Sequence, residues 1–153
     1  MKTVVIQDYD KVQIPGVRFA SKDTDPQLIC KDHFKVTLLP HKTEMVTGYI
    51  MCDVLEGSAH TPVFSSWETH GYAESFYYFH GTALMPFIQI VDGKADPDSV
   101  QIVRIPAGVQ VEVLPGVGHY VATADVQYFS CLCTRPDSGG DYYTTEPVMG
   151  VRE

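Results

Sequence analysis

The chain has 153 residues, of which 44% are hydrophobic and 20% are charged. That length suits one domain, so we expect residues 1–153 to form a single unit. Nineteen acidic against eleven basic side chains give a net charge of −8. Such a surface repels phosphate backbones and anionic lipid headgroups, which argues against nucleic-acid and membrane partners.

Short apolar segments, most of them with period-two alternation, predict strands along the whole chain. In chain order they cover residues 33–39, 47–54, 75–79, 83–91, 100–105, 111–113 and 126–133. Turns rich in glycine and proline separate them, among them Asp96-Pro97-Asp98. Only residues 21–33 favour a weak helix, and they lack a clear apolar stripe. The pattern predicts an all-β sandwich or barrel with few or no helices.

The sequence lacks the features of a secreted or membrane-inserted protein. No apolar run approaches the roughly 18–20 residues that span a bilayer, and the N-terminus has no signal-peptide core. The four cysteines, Cys30, Cys52, Cys131 and Cys133, include no CxxC pair, which favours reduced thiols. We therefore expect a cytoplasmic protein.

Two stretches of the sequence concentrate side chains that can carry chemistry. In the first, Glu68 and His70 are two residues apart, so their side chains lie on the same face of a strand, and Glu74 keeps that parity. In the second, a strand ends in a Pro-Gly turn at Gly116, and the next strand opens with His119. We expect Glu68, His70, Glu74 and His119 to share one site.

The first stretch resembles the first of the two cupin motifs, which is written G(x)5HxH(x)3–4E(x)6G. His70, Glu74 and Gly81 match its second half. Glu68 stands in place of the first histidine of the motif, and Pro62 in place of its leading glycine.

The second stretch resembles the other cupin motif, G(x)5PxGxxH(x)3N. Gly108, Gly116 and His119 are in register with it, Pro115 is displaced by one position, and Thr123 replaces the asparagine. Together the two resemblances imply a cupin fold, a double-stranded β-helix or jelly-roll barrel.

A narrower resemblance, over roughly residues 46–147, is to the ureidoglycolate lyase family of cupins. It rests on the order and spacing of Glu68-Thr69-His70, residues 75–79, residues 95–99, Gly118-His119 and residues 136–141. Glu74 replaces a glutamine of that family, Gly118 replaces a tryptophan, and Leu114-Pro115 stands where a polar, basic pair is expected.

The narrower resemblance implies cleavage of ureidoglycolate to glyoxylate and urea. A base, His70 or Glu74, would take the hydroxyl proton, and an acid, His119 or Glu68, would protonate the departing nitrogen. Arg104, on a predicted barrel strand, is the best available cation for a substrate carboxylate. It could equally pair with Glu112 or with an aspartate.

The same residues also suit a metal ion. His70, Glu74 and His119 form a two-histidine, one-carboxylate set for one divalent metal, Mn, Fe, Ni or Zn, with Glu68 available as a fourth ligand. Without a metal, carboxylates and histidines in a barrel mouth form an acid/base pair, since unequal burial separates their pKa values.

Three functional classes therefore stay open for this chain. The first is the lyase, and the second is a metal-dependent cupin of another class, an isomerase or a dioxygenase. Glu74 in place of glutamine favours the second, because a carboxylate is the better ligand for a hard cation. The third is a cupin that binds a small metabolite without catalysis. In each case we expect a homodimer, since two-fold dimers are the commonest assembly.

Overall fold

The computed structural model describes residues 1–21, 27–31, 34–38, 51–57, 61–120, 123–124, 127–133 and 140–152, with the backbone alone for 27–31, 34–38, 51–57, 123–124 and 127–133. Within these residues the chain is all β, apart from one 3-10 turn at Tyr9–Lys11. The strands are β1 (Lys2–Asp8), β2 (Val17–Ser21), β3 (Gln27–Lys31), β4 (Phe34–Leu38), β5 (Met51–Gly57), β6 (Val63–Thr69), β7 (Glu74–His80), β8 (Thr82–Val91), β9 (Lys94–Pro106), β10 (Val109–Val113), β11 (Gly118–His119), β12 (Thr123–Ala124), β13 (Gln127–Cys133) and β14 (Gly140–Val151).

The strands form two main sheets and a hairpin. The larger sheet has the order β11-β6-β14-β1-β9-β8-β12, and β11 pairs with β8 as well as with β6. This second pairing closes six strands of the sheet into a ring, which removes the exposed edges between them. The smaller sheet has the order β2-β10-β7-β13-β5, and β3 pairs with β4. β1 is parallel to both of its neighbours, β14 and β9.

Two hydrophobic cores lie on the two faces of the ring. The ring core fills its inside and comprises Phe64, Trp67, Ile88, Val100, Ile102 and Val148. The inter-sheet core lies between the ring and the smaller sheet, and includes Tyr72, Phe76, Phe87, Val103, Ile105, Val111 and Val117. Successive residues of β9, such as Ile102 and Val103, therefore enter different cores, as the two-residue period of a strand requires.

The prediction of an all-β barrel is confirmed, but two local expectations were wrong. Residues 27–31, assigned to a weak helix, form β3, because Asp25-Pro26 opposes a helix and the apolar residues that follow suit a strand. The predicted turn at Asp96-Pro97-Asp98 lies inside β9. Its pairing with β8 is irregular there, between Phe87 and Gln89, which accommodates a proline. No helix of the described residues is long and apolar enough to cross a membrane.

Candidate active site

Three elements bring the predicted site residues together at one end of the inter-sheet core. Glu68 is near the end of β6, His70 follows that strand, and Glu74 begins β7. β11 lies between β6 and β8, so His119 is directly opposite Glu68. The Gly116 amide donates a hydrogen bond of 3.0 Å to the carbonyl of His70, which holds the turn before β11 against the β6–β7 connection.

The centre of the cluster is a carboxylate oxygen shared by two imidazoles. Oε2 of Glu74 lies 2.9 Å from Nε2 of His119 and 3.1 Å from Nε2 of His70. Glu74 is 7% exposed and His119 is 1% exposed. A buried charge is tolerated only where partners compensate it, and here two ring nitrogens face the same oxygen.

The pKa of Glu74 shows how strongly the imidazoles act on it. Burial raises the pKa of Glu74, but the hydrogen bonds from His119 and His70, together with their charges, outweigh burial and lower it from 4.5 to about 2. The carboxylate is therefore ionised at neutral pH and can only accept hydrogen bonds.

The hydrogen bonds of His119 fix the orientation of its ring. Its Nδ1 lies 3.0 Å from the carbonyl oxygen of Val117, and its Nε2 faces Glu74. Both partners are acceptors, so a ring nitrogen of His119 that carries a hydrogen donates it to one of them.

Aromatic side chains form the walls around the two imidazoles. The ring of Tyr72 stacks on His70, with centroids 5.1 Å apart and an interplanar angle of 29°. Phe76 meets His119 edge to face at 6.0 Å. Both aromatic residues belong to the inter-sheet core, so the core fixes the ring orientations and keeps the shared carboxylate in a low-dielectric setting.

Glu68 lies at the outer side of the cluster and is half-buried. One ligand atom each from Glu68, His70 and His119 lies within 4.8 Å of the others, an arrangement that could hold a metal ion. Beyond Glu68, the neighbouring strand places Asp141 directly opposite it. Cross-strand partners share a face, so Asp141, Glu68 and His119 form a row across the ring.

Arg104 is the predicted site residue that the structure does not bring to this cluster. On β9 it shares the face of Ile102, whereas Val103, on the opposite face, joins the inter-sheet core that borders the site. Its guanidinium nitrogens bond Oδ1 of Asp8 at 2.6 Å. Arg104 is thus paired with an aspartate on the neighbouring strand, while Glu112 pairs with Arg18.

The sequence analysis did not identify the groups that contact the two imidazoles and hold them in place. Phe76 could have been found, since it shares the parity of Glu74 along β7. Tyr72 stands in a connection without a periodic pattern, so no signal pointed to it. The acceptor at Val117 is a backbone carbonyl, which any residue would supply.

The comparison with known proteins is informative at the level of structure. No protein-family model and no curated protein matches the chain in sequence. A 3'-monoepimerase from Streptomyces bikiniensis, solved with dTDP, matches with a TM-score of 0.55 and 13% identity, over 87% of this chain and 71% of the other. A dTDP sugar isomerase from Desulfovibrio desulfuricans gives 0.51 and 14%, over 86% and 85% of the two chains.

A dTDP-4-dehydrorhamnose 3,5-epimerase from Bacillus anthracis gives a TM-score of 0.50 and 11% identity, over 83% of this chain and 84% of the other. At such identities the likeness establishes the fold. The chain has the cupin-type double-stranded β-helix fold that these proteins share, as its two motifs had indicated.

The prediction of a ureidoglycolate lyase, a carbon–nitrogen lyase, was wrong. The three structures reported above are two epimerases and a dTDP sugar isomerase, and the comparisons show no relationship to the lyase family. The resemblance had rested on the order and spacing of residues more than on a specific motif. The role of Arg104 as a ligand for a substrate carboxylate stays a prediction; in the structure its guanidinium pairs with Asp8.

Proposed function

We propose that the protein is an isomerase of the epimerase type, which moves a proton at a carbon next to a carbonyl group in a sugar-like small molecule. The observation that carries this proposal is the buried, ionised carboxylate of Glu74 shared by His70 and His119. The isomerase and epimerase names of the structures with the same fold support the reaction class.

In the proposed reaction His70 is the base. His70 is the less buried of the two imidazoles, and His119 is bonded at both Val117 and Glu74, so His70 is the imidazole assigned to the substrate. His70 takes a proton from the carbon next to the carbonyl, and the electron pair of that C–H bond moves into the carbonyl to form an enolate. Solvent water delivers a proton to the opposite face of the carbon, the enolate electron pair forms the new C–H bond, and the carbonyl is restored with the carbon inverted, while His70 releases its proton to solvent.

Glu74 and His119 act on His70 as positioning residues. The ionised carboxylate of Glu74 faces Nε2 of His70, so it stabilises the imidazolium that forms when His70 takes the proton. His119 holds Glu74 in place from the other side. The roles of Glu68 as an acid and of Arg104 as a substrate ligand stay predictions.

The test is incorporation of deuterium from D2O into the carbon next to the carbonyl of keto sugars, followed by proton NMR. We expect His70→Gln and Glu74→Gln to slow incorporation at least about 100-fold, the usual contribution of a positioned acid or base. His80→Gln is the matched control, because His80 is exposed at the far end of β7. Equal rates in the wild type and His70→Gln, with both folded, would refute the assignment.

A second candidate is a metal-dependent isomerase or dioxygenase, in which side chains of this cluster hold a metal ion. Nδ1 of His119 lies 3.0 Å from the carbonyl oxygen of Val117, a contact that is common in metal-binding histidines. Glu68, His70 and His119 fit a divalent ion, Mn, Fe, Ni or Zn, with Glu74 beside them. Such an ion would place a positive charge beside the carboxylate of Glu74, and it would polarise a carbonyl.

Metal content distinguishes the two candidates. Protein purified without chelator is analysed by mass spectrometry beside a His70→Ala/His119→Ala variant. Near-stoichiometric metal in the wild type, lost in the variant, would support the metal-dependent candidate. A metal-free wild type that remains folded supports proton transfer by the side chains alone. A cytoplasmic location with a small-molecule substrate, and without nucleic-acid or membrane partners, is part of either proposal.

A further inference from the structure

A single turn holds both imidazoles of the site through its backbone. Residues 114–117 connect β10 to β11, and we refer to them as the site turn. The Gly116 amide donates a hydrogen bond of 3.0 Å to the carbonyl of His70. The Val117 carbonyl oxygen lies 3.0 Å from Nδ1 of His119. Whatever fixes the site turn therefore fixes the place of both imidazoles relative to the shared carboxylate.

A second turn, residues 14–17, packs against the site turn, and we refer to it as the N-terminal turn. It leads into β2, and a hydrogen bond of 3.0 Å from the amide of its last residue to the carbonyl of its first closes it. The Leu114 amide donates a hydrogen bond of 2.8 Å to the carbonyl of Gly16. A Cβ at Gly16 would lie 2.5 Å from Cγ2 of Val117, a buried, β-branched side chain with restricted rotamers. The contact between the two turns thus leaves no space for a methyl group.

Gln89 connects the N-terminal turn to the ring. Its Nε2 donates a hydrogen bond of 3.2 Å to the carbonyl of Pro15. Its backbone amide donates one of 2.8 Å to Oγ of Ser99, at the irregular point of the β8–β9 ladder. The same strand, β8, pairs with β11, where Phe87 is opposite His119. β8 is thus linked to the site both by strand pairing and through the N-terminal turn.

We infer that Gly16 and Gln89 are positioning residues for the proposed proton transfer. They hold the N-terminal turn against the site turn, and the site turn holds His70 and His119 in contact with the carboxylate of Glu74. This inference rests on the proposed isomerase and extends the same site to residues outside the cluster. A displacement of about 1 Å can slow an enzymatic step about 100-fold, so a small shift of the site turn is sufficient to change the rate.

The first test compares Gly16→Ala with Gly108→Ala in the deuterium exchange of keto sugars. Both glycines have a positive φ, 78° and 88°, so alanine strains the backbone similarly in the two places. Only at Gly16 does the new methyl group meet Val117, whereas no atom of the described residues lies within 4 Å of a Cβ at Gly108. We expect kcat to fall at least about tenfold in Gly16→Ala with KM within about twofold, and both to stay within about twofold in Gly108→Ala. Equal kcat in the two folded variants would overturn the inference.

Two further variants separate the contact from a general loss of stability. Val117→Ala removes the methyl group that the new side chain would meet, so Gly16→Ala/Val117→Ala should recover at least about threefold of the lost kcat. Gln89→Met keeps the length of the side chain but cannot donate to Pro15, so it should lower kcat at least about threefold. Gln7→Met, at an exposed position of β1, is its control. A wild-type kcat in Gln89→Met would overturn its assignment, and this variant decides alone if Gly16→Ala does not fold.

The second test needs no turnover and follows the imidazole signals in proton–nitrogen NMR spectra, assigned with His70→Gln and His119→Gln. We expect the signals of His70 and His119 to shift in Gly16→Ala and in Gln89→Met, because their hydrogen bonds to the shared carboxylate change in length and angle. The signals of His80, exposed at the far end of β7, should stay in place. Wild-type signals of His70 and His119 in both variants would overturn the inference while leaving the isomerase intact. If no keto sugar exchanges with the wild type, the proposed function fails, and the NMR signals alone decide whether the two turns position the imidazoles.

Discussion

At the scale of single residues, the buried carboxylate of Glu74 sets the electrostatics of the site. It is one oxygen with two imidazole partners, and its pKa is held at about 2 although burial opposes ionisation. Removing the negative charge would take the charged partner away from Nε2 of both imidazoles. The same carboxylate thus supports both the proposed reaction and the folded state.

The stability of the protein should depend on pH through Glu74. Its pKa is 4.5 when unpaired and about 2 in the folded chain, so the unfolded state binds more protons between these values. The stabilisation is complete above about pH 4.5 and is lost as the pH falls towards 2, by an amount on the order of 3 kcal/mol. Urea unfolding of the wild type and Glu74→Gln across this window measures it.

The result is read from the slope of the free energy of unfolding against pH for the two proteins. Glu74→Gln removes the titrating group, so its free energy of unfolding should rise less steeply with pH than that of the wild type. Equal slopes for the two proteins would contradict the shared carboxylate.

The sequence predicted the residues of the cluster better than their surroundings. Glu68, His70, Glu74 and His119 have motif spacing, and the structure brings them together. The strand parity expected for Glu68, His70 and Glu74 does not hold, because β6 ends at Thr69 and Glu74 begins β7 in the other sheet. Strand parity could not predict whether Arg104 faces the site, because each face of β9 packs into a different core. Which of the two faces borders the site depends on how the ring closes, and no local sequence pattern encodes that closure.

At the scale of elements, the two-residue strand β11 is decisive for the site. It carries His119 between β6 and β8, and the backbone approaches Ile88 so closely that a side chain at Gly118 has no space. A Cβ built there would overlap the Ile88 side chain and lie 3.2 Å from the Ile88 carbonyl oxygen. Gly118 is thus required for His119 to reach Glu74.

We predict that Gly118→Ala destabilises the protein by about 1–3 kcal/mol, the usual cost of overpacking, and slows deuterium incorporation by displacing His119. Gly71→Ala is the matched control, since nothing lies within 4 Å of a Cβ there, and we expect a change within about 0.5 kcal/mol. Urea unfolding measures both. Equal stability of the two variants would show that β11 does not pack against β8 as described.

Most strands were predictable from alternation, and the exceptions have identifiable causes. The turn residues Asp96-Pro97-Asp98 are tolerated within β9 because the β8–β9 ladder is irregular at that point. β11 has only two residues, too few for any periodicity, although its pairing closes the ring. Short apolar alternation therefore indicated a barrel without indicating how it closes.

At the scale of the whole molecule, the homodimer stays a prediction. Tyr77 and Phe79 are 43% and 48% exposed and share the outward face of β7, the central strand of the smaller sheet. Exposed aromatic residues of this kind are common at interfaces. We expect a dimer by light scattering and a monomer for Tyr77→Ser/Phe79→Ser, with Tyr143→Ser as the exposed aromatic control. A monomeric wild type would contradict this expectation.

The fold by itself does not determine the chemistry, since one barrel can host many reactions. What distinguishes this chain is the combination of a carboxylate shared by two imidazoles with aromatic walls that belong to the core. Proton transfer by His70 uses both features.

The most direct test of proton transfer by His70 is deuterium incorporation into free keto sugars by protein stripped of metal with a chelator. We expect that the wild type still exchanges the proton next to the carbonyl and that His70→Gln does so at least about 100-fold more slowly. Activity that disappears with the chelator and returns with Mn, Fe, Ni or Zn would contradict transfer by the side chains alone. Absence of exchange in both metal-loaded and metal-free protein would contradict the isomerase itself.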